Sequence, residues 1–483
     1  MSDQAAQAPP AQAHAFPWRA AMPWLIAAGL YLLLLALAGK MLGDADIYWH
    51  VRVGEWIAAH RAFPHIDFFS STFAGEPWIA KEWLSQLSFA TAYHFAGWAG
   101  IAALAAVAVA AAVGILARVL LEKLDPVATL VLVLVAIVLT APHILARPHA
   151  LALPVMVLWT VGLVRALDER RAPSWWLLPL MTLWANLHGG FTFGILLAGA
   201  CALEALLVTG KAERGKVACQ WGAFGLLTIL AACITPYGPA SILMTGRILG
   251  LGEALGLLIE WQPQDFSKTG PYELCLLGAI GFALYRGLTL PPVRILIILG
   301  LLHMSLAHVR NDELLVMLAP LFIAAPLRDQ LRQEQSTNEI LPRKLIASLM
   351  FLGALATAGL LATRELTPAY YLTPSAALNA LARAKAGPIL NDYGFGGYMI
   401  RSGALPFIDG RAELYGGPFI ARHHRAVTLA NLPDFLRLLD EYKIGATLLA
   451  PDRPAVALLD RLPEWERLYS DDVAVAHTRK VAR

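Results

Sequence analysis

The chain has 483 residues, of which 58% are hydrophobic and only 15% charged, with a formal net charge of +3 and a mean hydropathy of +0.57. A soluble domain carries roughly 25% charged residues, so this composition excludes an ordinary soluble enzyme and describes a polytopic membrane protein. The small charge excess gives no basis for nucleic-acid binding.

Residues 1–21 open the chain with a stretch rich in Ala, Gln and Pro, expected to be a disordered cytoplasmic N-terminus. The first apolar run lacks a basic leader and a small-residue cleavage site, so it is expected to stay as a helix. A spanning helix needs about 20 apolar residues, fewer where neighbours shield its ends. Runs of this kind fall at 22–42, 98–121, 126–142, 148–166, 174–187, 190–209, 217–234, 272–288, 293–307, 312–327 and 344–363. They predict an α-helical bundle of about eleven transmembrane helices over 22–366.

Orientation follows from basic residues, which favour the cytoplasmic side. With the N-terminus cytoplasmic, the inner connections hold Arg118 and Lys123, Arg165 to Arg171, Lys211 to Lys216, Arg286 and Arg294, and Arg328, Arg332, Arg343 and Lys344. The outer face then receives the loop 43–97 and every polar motif of interest. Within that loop, Ile47, Val51, Trp56 and Ile57 have near-helical spacing and predict an amphipathic helix on the interface. Residues 83–97 are expected as a juxtamembrane or re-entrant helix, because a crossing there would turn Asp168 to Arg171 outward. The four cysteines, Cys201, Cys219, Cys233 and Cys275, lie in or beside apolar spans and read as small core residues.

From about Thr367 charge rises and apolar runs shorten to strand length. Strands are expected at 388–391, 406–408, 446–450 and 473–478, with helices at 432–442 and 455–462. Residues 367–483 therefore predict a small extracytoplasmic α/β domain stabilised by its core alone.

Ionisable side chains beside a bilayer are costly, and their clustering marks a site or a water-filled cavity. Asp44 and Asp46 follow directly on the first span. Either carboxylate can accept a proton from a hydroxyl or ligate a hard divalent cation, Mg or Mn. Asp46 also suits a helix N-cap. His50 and His65 share the same loop. Arg147 and His149 open one span, and Arg310 and Asn311 lie in His308-Val309-Arg310-Asn311-Asp312 on another outer rim. A lone guanidinium in such a place suits a phosphate, with headgroup snorkelling as the alternative. Asn186 and His188 lie in a tight turn, Asn186-Leu187-His188-Gly189-Gly190. Asp409 and Arg411, in Ile408-Asp409-Gly410-Arg411, read either as a strand-ending turn or as acceptor-binding residues. Convergence of these clusters fits a phosphate-bearing substrate and a hydroxyl acceptor. No Walker, G-x-S-x-G, H-E-x-x-H or C-x-x-C pattern is present.

An acidic outer loop after the first span, a juxtamembrane helix, later Arg/His-bearing rims and a soluble C-terminal region together resemble the GT-C glycosyltransferases. That class includes protein mannosyltransferases, aminoarabinose transferases and Rgt-type bacterial enzymes. More narrowly, Asp46-Ile47-Tyr48-Trp49-His50, Asp67-Phe68-Phe69-Ser70, Glu82-Trp83-Leu84, Asn186-Leu187-His188-Gly189, Glu260-Trp261 and Asp409-Gly410-Arg411 are similar to the pattern of a group of bacterial membrane proteins. The resemblance implies transfer of a sugar from a polyprenyl-phosphate donor to a glycan, lipid or protein acceptor at the outer face of the cytoplasmic membrane, among membrane lipids of the bacterial cell envelope. It places the catalytic base or metal ligand at Asp44 or Asp46. A lipid-linked glycan transporter or flippase and a non-catalytic envelope-assembly scaffold are the alternative readings.

Overall fold

The computed structural model describes residues 17–331 and 342–480. Residues 1–16 of the expected N-terminal tail, and Arg332, lie outside the described residues. Each of the eleven apolar runs is helical. Among the described residues, eight helices are long and apolar enough to cross a membrane, so the chain is a multi-pass membrane protein. The helices Leu177–Leu187, Pro271–Arg286 and Pro292–Ala307 have 11, 16 and 16 residues and are shorter than that.

The helix Trp83–Leu121 organises the bundle, packing on Trp18–Ala36 and on Pro148–Asp168. Ala102, Ala105, Ala106, Ala112 and Ala117 are buried along it. Small residues let neighbouring backbones approach closely, the main source of helix packing where lipid is as apolar as the core. The helix is broken at Ala96 and at Gly97, whose φ of 57° a residue without Cβ adopts at little cost. The break separates 83–95 from the long apolar run that follows. Elsewhere the apolar surface faces outward: Met350, Phe351, Leu352 and Leu355 are exposed on Arg343–Thr363, and Val127, Val131 and Leu134 on Pro126–Thr140. Lipid is the solvent that matches such faces.

The predicted interfacial helix is Asp46–His60, with Ile47, Val51 and Ile57 buried. The loop after it is ordered by Asp67, whose carboxylate accepts from Phe69 N at 2.9 Å and from the Ser70 hydroxyl at 2.5 Å. This is an Asx turn, in which a side chain replaces a backbone turn.

The helix Pro148–Asp168 has 21 residues, which at 1.5 Å per residue makes about 30 Å, the depth of a hydrocarbon core. Charged groups gather at both of its ends. At the C-terminal end, Arg294 Nε donates to Glu204 at 2.8 Å and Nη2 to Asp168 at 2.8 Å, while Lys123 lies 3.6 Å from Asp168. Arg165 meets Glu122 at 2.7 Å. Arg19 donates to the Leu121 and Leu124 carbonyls, favourable at a helix C-terminus. Lys123, Arg165 and Arg294, three of the residues expected on the cytoplasmic side, thus meet at this end.

Past Thr363 the chain builds a four-stranded mixed sheet in the order β1-β2-β4-β3. β1 (Ile389–Asn391) is parallel to β2 (Ala446–Leu449), which is antiparallel to β4 (Val475–Arg479), itself antiparallel to β3 (Trp465–Ser470). The expected strand at 406–408 is not one. Its backbone polar groups bond elsewhere: Phe407 N and Ile408 O to the Asn391 side chain, and Pro406 O and Phe407 O to Ser71 and Thr72. β3 was not anticipated, because its side chains are largely exposed and it carries no buried apolar run. Leu432–Glu441 matches the expected helix to one residue, opened by Asn431 accepting from Asp434 N.

Candidate active site

The site is built at the N-terminal end of Pro148–Asp168. Gly43 ends the first apolar segment, and Asp44 turns back to accept from Asp46 N at 2.7 Å. Asp46 is the first residue of its helix and makes no side-chain cap. Its Oδ1 accepts from Trp49 Nε1 at 3.0 Å, which leaves Oδ2 facing Arg147.

Arg147 precedes Pro148 in extended conformation, as a residue before proline prefers. Ala146 N donates to Met41 O at 2.8 Å and ties this strand to the Asp44 turn. The guanidinium then reaches three acids. Nε lies 2.5 Å from Asp44 as an ion pair without hydrogen-bond alignment, Nη2 lies 3.1 Å from Asp46, and Nη1 pairs with Glu260. Glu260 also accepts from Arg310 at 3.0 Å, and Arg310 lies over the Trp261 ring at 4.3 Å. The 260 and 310 turns are fastened by Val309 N to Gln262 O and by His308 Nδ1 against Trp261 O.

Three carboxylates face two guanidinia, and burial sharpens the imbalance. Burial and neighbouring Asp44 push the Asp46 carboxyl up to about 7, against Arg147 and the Trp49 hydrogen bond. Burial acts upward on Glu260 as well, but Arg147 and Arg310 outweigh it and hold the group at about 2. Burial together with Arg147 and Lys81 drives the His50 imidazole well below its ordinary range. Burial with His149 and Arg310 does the same to His188. Both are therefore neutral at pH 7 and offer hydrogen bonds rather than charge.

A second polar group adjoins the first. His188 lies 3.6 Å from Glu82, His149 3.9 Å from Glu313, and Lys81 3.3 Å from Glu413. The His149 and His188 rings are 6.2 Å apart.

The C-terminal region closes the site. A Cβ on Gly410 would strike the Asp46 carboxylate, and one on Gly397 would strike the Ala45 carbonyl, so both contacts require glycine. Tyr393 is brought beside the same acids. Its hydroxyl is held well above the ordinary range by burial and by Asp46, Asp409 and Glu260. The docking is locked by Arg411, fully buried, which donates to Asp409 at 2.7 and 2.8 Å and to Asp67 at 2.6 Å, beneath the Trp78 ring.

The structure therefore gathers Asp44, Asp46, Arg147 and Arg310, with His50, His149 and His188 alongside. It does not gather the others. Asn186 is committed to packing, accepting from Trp83 Nε1 and donating to the Thr182 and Ile234 carbonyls. Asn311 donates to Met304 O. His65 is exposed and packs edge-on against Tyr237. Asp409 and Arg411 have no accessible surface, so the acceptor-binding reading gives way to a structural one. Glu260 was seen in sequence only as part of a motif without a role, although an acid in an apolar outer segment is itself a signal. Tyr393 had no such signal, because its place depends on the tertiary docking.

The expected divalent cation does not fit this donor set. The carboxylates of Asp44, Asp46 and Glu260 surround a guanidinium rather than a point where oxygen ligands could meet. Among the described residues, no group of three or more His, Cys, Asp or Glu side chains is arranged to hold a metal.

No protein-family model matches the chain, and no curated protein sequence does. Solved structures do. The apo oligosaccharyltransferase of Archaeoglobus fulgidus superposes with a TM-score of 0.55 at 11% identity, over 89% of this chain and 69% of that one. The same organism's oligosaccharyltransferase AglB, in complex with an inhibitory peptide and a dolichol-phosphate, gives a TM-score of 0.53 at 10% identity, over 90% and 69%. At such identities the likeness is one of fold alone, shared with the archaeal oligosaccharyltransferase.

Proposed function

We propose that the protein is a glycosyltransferase that moves a sugar from a polyprenyl-phosphate carrier to a glycan, lipid or protein acceptor at the outer face of the cytoplasmic membrane. The observation that carries this reading is Asp46: a carboxylate with its proton affinity raised to about 7, set beside Arg147 and Arg310 at one end of a GT-C bundle. The dolichol-phosphate bound by the archaeal neighbour supports a lipid-phosphate donor. The basic bias of the alternate connections supports an outward-facing site, eleven crossings and an extracytoplasmic region 367–483. The narrower bacterial group belongs to the same reading.

In this mechanism Asp46 accepts the proton of the acceptor hydroxyl as its oxygen attacks the anomeric carbon. The bond from that carbon to the phosphate oxygen breaks, and its electron pair leaves with the lipid phosphate. Arg310 faces that charge, because among the described residues it is ion-paired with one carboxylate, Glu260, whereas Arg147 is spent on three. His50 and His188 supply neutral hydrogen bonds around the sugar and phosphate, with His149 beside them. Asp44 orients the Asp46 helix start.

The test is transfer of a labelled sugar from a polyprenyl-phosphate pool in membranes carrying Asp46→Asn or Asp44→Asn. Loss of transfer in Asp46→Asn, with the protein still folded, is expected. Full activity in both variants would sink the assignment.

A further inference from the structure

The three carboxylates that converge at the site are the ligand type a hard divalent cation takes, yet a cation of the protein's own already lies among them. Arg147 presents Nε to Asp44, Nη2 to Asp46 and Nη1 to Glu260, one nitrogen per acid. A guanidinium suits that work because its donors are fixed in a plane and always charged. Its backbone is held as well: proline follows it, and Ala146 N is bonded to Met41 O. The acids are similarly restrained, Asp44 by Asp46 N, Asp46 by Trp49 and Glu260 by Arg310. A divalent ion would have to expel a side chain that all three grip.

The geometry points to Arg147 as a built-in replacement for a divalent cation: it fixes Asp46 in place and makes the site independent of metal. This rests on the glycosyl-transfer reading for its use but not for its geometry. Arg147 is then a positioning residue acting through Asp46 and Asp44, and the phosphate is left to Arg310. Removing the guanidinium would leave Asp44, Asp46 and Glu260 facing one another, so the vacancy would recruit the ion that the wild type excludes.

The test is a Mn²⁺ titration of the purified full chain in detergent, read by electron paramagnetic resonance without any donor, beside transfer assays in EDTA. The wild type is expected to take up no stoichiometric Mn²⁺ and to keep transfer within about twofold in chelator. Arg147→Ala is expected to bind one Mn²⁺ per chain, and Arg147→Lys, which keeps the charge, to bind none. One Mn²⁺ on the wild type, lost in Asp46→Asn, would overturn the inference, as would chelator-abolished transfer restored by Mn²⁺. A folded Arg147→Ala that binds no Mn²⁺ would overturn it too. The wild-type arm stands whether or not either variant folds. Because Mn²⁺ uptake is read without substrate, it also remains decisive if the protein proves not to transfer sugar.

Discussion

The two ends of the helix Pro148–Asp168 use the same chemistry for different purposes. At the Asp168 end, Arg294 is sealed among helices with Glu204 and Asp168, and Lys123 completes a balanced set of two acids and two bases. At the Arg147 end, three acids face two bases, and their side chains keep some access, 32% for Glu260 and 21% for Asp46. Balance and burial give a joint between helices. Excess acid at an accessible rim leaves one carboxylate unable to ionise comfortably, and such a group is available for proton transfer. The presence of an arginine among carboxylates beside a membrane therefore says little about function until its charge balance and exposure are counted.

Substitutions at the two ends can break this contrast. The largest effect is expected from Asp46→Asn, which should lower transfer by about 10²- to 10⁴-fold, the usual contribution of a positioned base, while Glu204→Gln leaves the chemistry of folded protein unchanged. Rates normalised to folded protein would check both. Next is Arg294→Ala, which strands buried Glu204 and leaves Asp168 to Lys123 alone, and should cost about 3–5 kcal/mol of stability, seen as a lower thermal unfolding temperature. Arg310→Ala, at the accessible end, should leave that temperature nearly unchanged while weakening donor use.

The pH profile sharpens the comparison. Asp46 is protonated below about 7, so transfer should fall about tenfold per pH unit beneath that point. The same raised affinity has a stability counterpart of definite sign. In the unfolded chain the group ionises near 3.8, so between about 4 and 7 the unfolded state releases its proton first and the fold weakens as pH rises. Asp46→Asn should remove that decline, measured as a flatter unfolding temperature across the window. The smallest effect is expected at the semi-exposed Arg165–Glu122 pair, where Arg165→Ala should change stability by about 0–1 kcal/mol.

Sequence made the helices legible because apolar period and length are local properties. The eleven runs, the amphipathic helix beginning at Asp46 and the helix beginning at Leu432 all follow from that. Topology then supplied the convergence of Asp44 and Asp46 with Arg147 and Arg310. What it could not supply was the use each polar group finds. Asn186 and Asn311 have the chemistry of ligands but satisfy backbone carbonyls. Asp409-Gly410-Arg411 reads as a strand-ending turn or an acceptor site, yet its ends are buried and its glycine is fixed by Asp46 across the fold. The segment 406–408 has the composition of a strand but finds its partners in Asn391, Ser71 and Thr72. These outcomes depend on contacts between distant positions, which local pattern does not encode.

The Asp67–Arg411 pair spans 344 positions. Ribosomes add roughly 5–20 residues per second, so the loop around Asp67 waits roughly 20–70 s for its partner to be made. Throughout that interval its carboxylate lacks the guanidinium that, in the finished fold, lies over the Trp78 and Phe69 rings. The rim of the candidate site is therefore among the last parts of the protein to mature during biosynthesis. A nascent chain that stalls before Arg411 is made would carry an inserted bundle with an unfinished, protease-accessible first loop.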